Sequence, residues 1–180
     1  ERPLLMYTDA SDVPGRFPQR LLGAVLFDPI DKSLVFSSWP VADAIVSRWL
    51  QKESYMGQLE LLAAPFAFST WQDRIQNRSL ILFIDNDSAA ASLVKGYSPK
   101  VDSGAIVGEF WLLAAQLRVH VYIDRVESKS NLADGPSRNQ FDEIKGLGGS
   151  WTSPRTGAFG EPISSLPSWF GTPSQRGERT

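Results

Sequence analysis

The chain has 180 residues, 42% of them hydrophobic, and a formal net charge of −2 at pH 7, which bounds it to one globular domain with some length left for a tail. It has no cysteine and one histidine, His120, so disulfides, thiol nucleophiles and multi-His or thiolate zinc sites are excluded, and any metal must be held by oxygen, as suits Mg²⁺ or Mn²⁺. The acidic balance counts against a nucleic-acid binder, although removing four site carboxylates from the count turns the remainder positive.

No apolar run approaches the ~18 residues of a membrane span, and the first residues do not pair a basic segment with an apolar one. An intracellular location without membrane contact is expected. The opening at Glu1, just before the first strand, reads as a domain cut from a longer polypeptide.

In chain order, RPLLMYTD reads as a first strand ending at Asp9, and SDVPGRFPQR as a loop punctuated by Pro14 and Gly15. LLGAVLFD (21–28) and SLVFSSWP (33–40) are two strands joined by a short polar link, an antiparallel hairpin. Residues 41–53 carry apolar side chains at helical spacing and are read as either a short helix or a lid over the sheet. A helix over 54–75 starts at a candidate cap, Ser54, and is expected to kink or break at Pro65.

RSLILFIDND (78–87) is the clearest buried strand, with a continuous apolar run from Leu80 to Ile84 that suits a strand covered on both faces. A helix over 88–96 stopped by Gly96, a stronger helix over 103–117, a strand over 118–126 and a last helix opening in 130–144 follow. From Gly146 the chain becomes rich in Gly, Ser and Pro, so 1–145 is read as the domain and 146–180 as a tail or linker. Trp151, Phe159, Trp169 and Phe170 are too apolar for an inert spacer, and docking of some of them is expected. The order implies an α/β fold with a mixed sheet, an antiparallel hairpin on one side and βαβ units on the other.

Four acids stand out by position. Asp9 ends the first strand, Asp85 ends the buried strand, Glu60 lies on the helix between them, and Asp134 opens the last helix. Each has a plain alternative: a cap for Asp85, a solvated helix face for Glu60, a favourable charge at a helix start for Asp134. Sites form at the carboxyl ends of parallel strands, so Asp9 and Asp85 emerge together if their strands are neighbours. Like charges gathered in one place repel unless a cation neutralises them. An all-carboxylate set has room for two divalent ions ~3.5–4 Å apart, the arrangement that serves in-line phosphoryl transfer. The reaction class indicated is phosphodiester cleavage.

YTDAS followed by GAVL, then GQLELLAA, LFIDND and NLADGPSR, resemble the ribonuclease H domain of reverse-transcribing elements over roughly residues 4–144, nearest to retrotransposon modules of DIRS-like or pararetroviral type. The resemblance implies an RNase H-like mixed five-stranded sheet covered by helices. It further implies two Mg²⁺ ions, replaceable by Mn²⁺, with Asp9 bridging both, Glu60 and Asp85 on the leaving-group side and Asp134 on the water side. The implied substrate is the RNA strand of an RNA–DNA hybrid, and the implied partner a reverse transcriptase module, fused or separate. Many relatives carry a His in the loop before the last acid; RVESKSNLAD has none, and slower activity or partial substitution by Glu127 or Lys129 is expected. Candidate substrate contacts are Ser11, Asn86, Arg16, Arg20, Lys95, Lys100, Lys129 and Arg138, each with surface charge or local capping as its plain alternative. Two rival readings are kept: an inactive RNase H-like interaction module, and another nuclease or strand-transfer enzyme on the same fold, for which Glu109 is the late helical acid.

Overall fold

The computed structural model describes residues 2–13 and 19–155. Arg16, Phe159, Trp169 and Phe170 lie outside the described residues. Six strands form one sheet in the order β5-β4-β1-β2-β3-β6. These are β1 (Leu4–Val13), β2 (Gln19–Phe27), β3 (Leu34–Pro40), β4 (Ser79–Ile84), β5 (His120–Arg125) and β6 (Ser150–Trp151). β1, β2 and β3 form an antiparallel meander, and β4 and β5 run parallel to β1 on its other side. The mixed α/β architecture expected from the sequence is therefore present, with one additional strand.

That sixth strand falls within 146–180, the segment read as tail. Ser150 and Trp151 pair in parallel with Val35 and Phe36, and the Trp151 ring meets Phe36 and Phe141 at 5.6 Å. A two-residue strand in a Gly-rich context carries no periodicity from which to read it.

The helices divide between the two faces. On one side lies α2 (Met56–Thr70), buried from Gln58 through Thr70, flanked by α4 (Asp87–Lys95) and α5 (Val101–Gln116). Met6, Leu22, Leu26, Leu62, Phe66 and Phe110 belong to the core it forms with the sheet. On the other side, α6 (Asp134–Ser137) and α7 (Asp142–Gly146) cover a smaller cluster built on Val25, Phe36, Ala133 and Ile144. Short helices α1 (Asp43–Val46) and α3 (Gln72–Ile75) flank α2 in sequence.

Four local expectations can be set against the structure. α2 is not broken at Pro65; it continues to Thr70, and the backbone leaves the helix at Trp71. A proline inside a helix costs ~3 kcal/mol, and burial on every side of α2 outweighs that. The segment 130–144 does open a short helix, α6, but it follows a 3₁₀ turn, Ser128–Ser130, and is not the last, since α7 comes after it. Of the two readings of 41–53, the short helix is present as α1, the rest of the segment being irregular. Finally, Asp9 does not end β1. The β1–β2 ladder runs on to Val13 opposite Gln19, whereas pairing with β4 stops at Tyr7 opposite Phe83, so Asp9 sits just where β1 outruns its parallel neighbour.

Candidate metal centre

Parallel pairing of β1 with β4 brings Asp9 and Asp85 to one edge, as the spacing of the acids predicts. Carboxylate oxygens of Asp9, Glu60 and Asp85 all lie within 4.8 Å of one another. Asp85 is not a cap: the carboxamide oxygen of Asn86 accepts from the Ala89 N–H at 2.9 Å and closes the start of α4. Gly96 ends that helix in the left-handed conformation at φ 68°, as its position suggests. With the cap supplied next door, Asp85 is released from that local duty.

Glu60 is 2% exposed, and its Oε2 is buried with no hydrogen-bond partner among the described residues. Burial foremost, then the charges of Asp9 and Asp85, push its carboxyl up to about 9. Asp9 is pushed up to about 6 by burial, with Asp85 and Asp134 adding repulsion and a hydrogen bond from Ser137 opposing it. A backbone hydrogen bond from Ala10 opposes the rise at Glu60, but a buried carboxylate oxygen without a donor is expensive unless a cation replaces the lost water. An all-oxygen set with one orphaned buried oxygen fits a hard divalent ion and suits no soft one.

Asp134 is not one of these three, though it is near enough for its charge to act on Asp9. Its Oδ1 accepts from Arg138 Nε at 3.0 Å, one turn on, and its side chain is 44% exposed. The other sequence candidates are placed as follows. Arg20 is taken up in structure, bonded to Asp43 at 2.7 Å, near Asp12 at 3.5 Å and over the Tyr55 ring at 5.5 Å. Ser11 donates to the Ser137 carbonyl at 2.6 Å. Lys129 pairs with Glu127 at 3.2 Å on the surface. Lys95 and Lys100 line a groove of about 520 Å³ together with Lys52, Tyr97 and Ser88. Glu109 lies on α5, away from the acidic group, and burial raises its carboxyl.

Two residues escaped the sequence reading. The Ser137 hydroxyl donates to Asp9 Oδ2 at 2.8 Å, and Gly23, opposite Asp9 on β2, lets α6 lie on the strand. A Cβ at Gly23 would stand 2.3 Å from the Ser137 nitrogen. NLADGPSR contains the serine, but only the register places it against Asp9.

No family model matches the sequence, and no curated protein matches it. Solved structures do. The chain is similar to RNase H1 from the halophilic archaeon Halobacterium salinarum, with 16% identity and a TM-score of 0.61 over 79% of this chain and 99% of that one. It is similar to the N-terminal RNase H domain of Rv2228c from Mycobacterium tuberculosis, with 13% identity and a TM-score of 0.52 over 81% of this chain and 98% of that one. A foamy viral protease-reverse transcriptase, solved with an RNA/DNA hybrid, matches with 14% identity and a TM-score of 0.55 over 78% of this chain but 20% of its own length. The order of strands and the division of helices between the faces are accordingly those of the ribonuclease H-like fold.

Proposed function

We propose that this chain is a divalent-metal-dependent endonuclease that hydrolyses the RNA strand of RNA–DNA hybrids, a ribonuclease H module of a reverse-transcribing element of DIRS-like or pararetroviral type. The observation that carries the reading is the meeting of Asp9, Glu60 and Asp85 within 4.8 Å, with Glu60 Oε2 left without a donor. The similarity to RNase H domains, one of them in a reverse transcriptase solved with hybrid, supports the substrate class.

Asp9, Glu60 and Asp85 would hold the cations, Mg²⁺ or Mn²⁺, with Asp134 joining from the neighbouring turn. Bound there, two such ions supply an activated water and charge neutralisation at the departing oxygen. The chain's own residues position the rest. Lys95, Lys100 and Lys52 line a groove beside α4 and supply positive charge for backbone phosphates, while the exposed Tyr97 ring offers an apolar face to a sugar or base. Recognition of RNA over DNA rests on contacts to 2′-hydroxyls, for which the Asn86 carboxamide N–H₂, next to Asp85, and Ser11, two residues after Asp9, are the candidates.

The inactive-module reading draws on the ion pair that holds Asp134 on Arg138 and on the absence of histidine from residues 126–133. One assay separates the readings. Labelled hybrid, double-stranded DNA and single strands are incubated with Mg²⁺ and the wild type or Asp85→Asn. We expect cleavage of hybrid RNA only, falling at least a thousandfold in the variant. An inert wild type, or a variant as active as wild type, refutes the proposal.

A further inference from the structure

We infer that Ser137 is a positioning residue of the metal centre, whose hydroxyl fixes the Asp9 carboxylate and ties it to the turn that carries Asp134. The inference rests on the reading of the acidic group as a metal centre. Ser137 is fully buried. Its Oγ lies 2.8 Å from Asp9 Oδ2 and 2.8 Å from the backbone carbonyl of Asp134. A hydroxyl has one proton and serves one acceptor at a time; a carboxylate is the stronger claimant. Among the described residues Ser137 is thus the one non-acidic side-chain donor to Asp9; the other near neighbours, Glu60 and Asp85, are acids, and Glu60 also hydrogen-bonds Asp9.

The surroundings are built to keep it there. Asp9 faces Gly23 across the β1–β2 ladder. A Cβ on Gly23 would meet the Ser137 nitrogen at 2.3 Å and the Ala133 carbonyl oxygen at 2.7 Å, so the bare strand lets α6 settle directly over Asp9. Ser11 Oγ, two residues beyond Asp9 on β1, holds the Ser137 carbonyl at 2.6 Å. Upstream, Asn131 Nδ2 donates to the Thr8 carbonyl at 3.0 Å. The segment 131–137 is therefore pinned to β1 on both sides of Asp9, and only the Ser137 hydroxyl reaches the carboxylate itself. Without it, Asp9 is free to rotate away from Glu60 and Asp85, and cation affinity falls.

The test is calorimetric titration of the chain with MnCl₂, comparing wild type, Ser137→Ala and Asn131→Ala. Both substitutions remove one hydrogen bond that docks the same segment, so both lower the melting temperature in EDTA. Loss of a hydrogen bond to a charged group predicts about tenfold weaker Mn²⁺ binding in Ser137→Ala, with Asn131→Ala within about twofold of wild type. Wild-type affinity in Ser137→Ala, or equal weakening in both variants, overturns the inference and leaves Ser137 a purely structural residue. Should Ser137→Ala fail to fold, Ser137→Cys, which keeps the volume with a weaker donor, is read by the same criterion. A wild type that takes up no Mn²⁺ refutes the metal-centre reading itself, and this inference with it.

Discussion

Two buried acids on neighbouring helices meet opposite fates. Asp102, on α5, is 7% exposed and is saturated with donors: Ser103 N–H at 2.7 Å, Gln58 Nε2 at 3.0 Å and Leu50 N–H at 3.2 Å. Burial alone would raise its carboxyl, but those hydrogen bonds, with Lys52 nearby, hold it below the usual range. Glu60, on α2, is as deeply buried, keeps an orphaned oxygen and is driven up to about 9. The chain knows how to satisfy a buried carboxylate and does so where the anion is structural, fastening the 41–55 segment to two helices. At Glu60 it leaves one oxygen without a donor, and the missing partner has to arrive from solution.

The comparison breaks first at Asp102. Asp102→Ala strands the Leu50 and Gln58 donors and should cost about 3 kcal/mol in urea unfolding, while Mn²⁺ affinity per folded molecule stays at the wild-type level. Glu60→Gln should act in the opposite sense on the metal-free protein. Removing an ionisable group that folding disfavours stabilises it by about 1 kcal/mol at pH 8 in EDTA, and the rise in melting temperature that Mn²⁺ gives the wild type disappears. An Asp102→Ala protein of undiminished stability, or a Glu60→Gln protein destabilised at pH 8, would show that the two carboxylates are not of different kinds.

A pH series sharpens the contrast further. Glu60's folded value, about 9, lies above its ordinary 4.5, so the folded state binds more protons than the unfolded one between those limits. Metal-free stability therefore falls as pH rises from about 4.5 through about 9. Asp102, held below its ordinary value, adds stability that is fully present above that value and is lost only in acid, as pH falls through the lowered one. Unfolding curves in EDTA should decline across pH 5–9 for wild type but, for Glu60→Gln, only up to the Asp9 value of about 6 and flatten above it; equal slopes above about pH 6 would contradict the assignment.

Much of this organisation is legible in the residues, and for identifiable reasons. The apolar run from Leu80 to Ile84 reads as a strand and is one, and placing it beside β1 brings Asp85 to Asp9, although its cover is one-sided: Leu80, Leu82 and Ile84 are buried, Ile81 and Phe83 only half-buried. Gly96 and the cap at Asn86 are local chemistry and are local in the structure too. What stays hidden depends on partners distant in sequence. β6 exists because Val35 and Phe36 receive it. α2 survives Pro65 because the sheet and α5 bury it. Arg20 looks like a phosphate ligand until Asp12, Asp43 and Tyr55 close around it. Asp134 reads as the fourth acid from its motif; what the motif does not reveal is that Arg138, four residues on, pairs with it at helical spacing.

Anomalous diffraction from a crystal soaked in MnCl₂ tests the central claim most directly, because it locates the cation without reference to any activity. The account predicts an anomalous peak coordinated by oxygens of Asp9, Glu60 and Asp85. Crystals that take up Mn²⁺ only at surface acids, with the space among these three left without a peak, would contradict it.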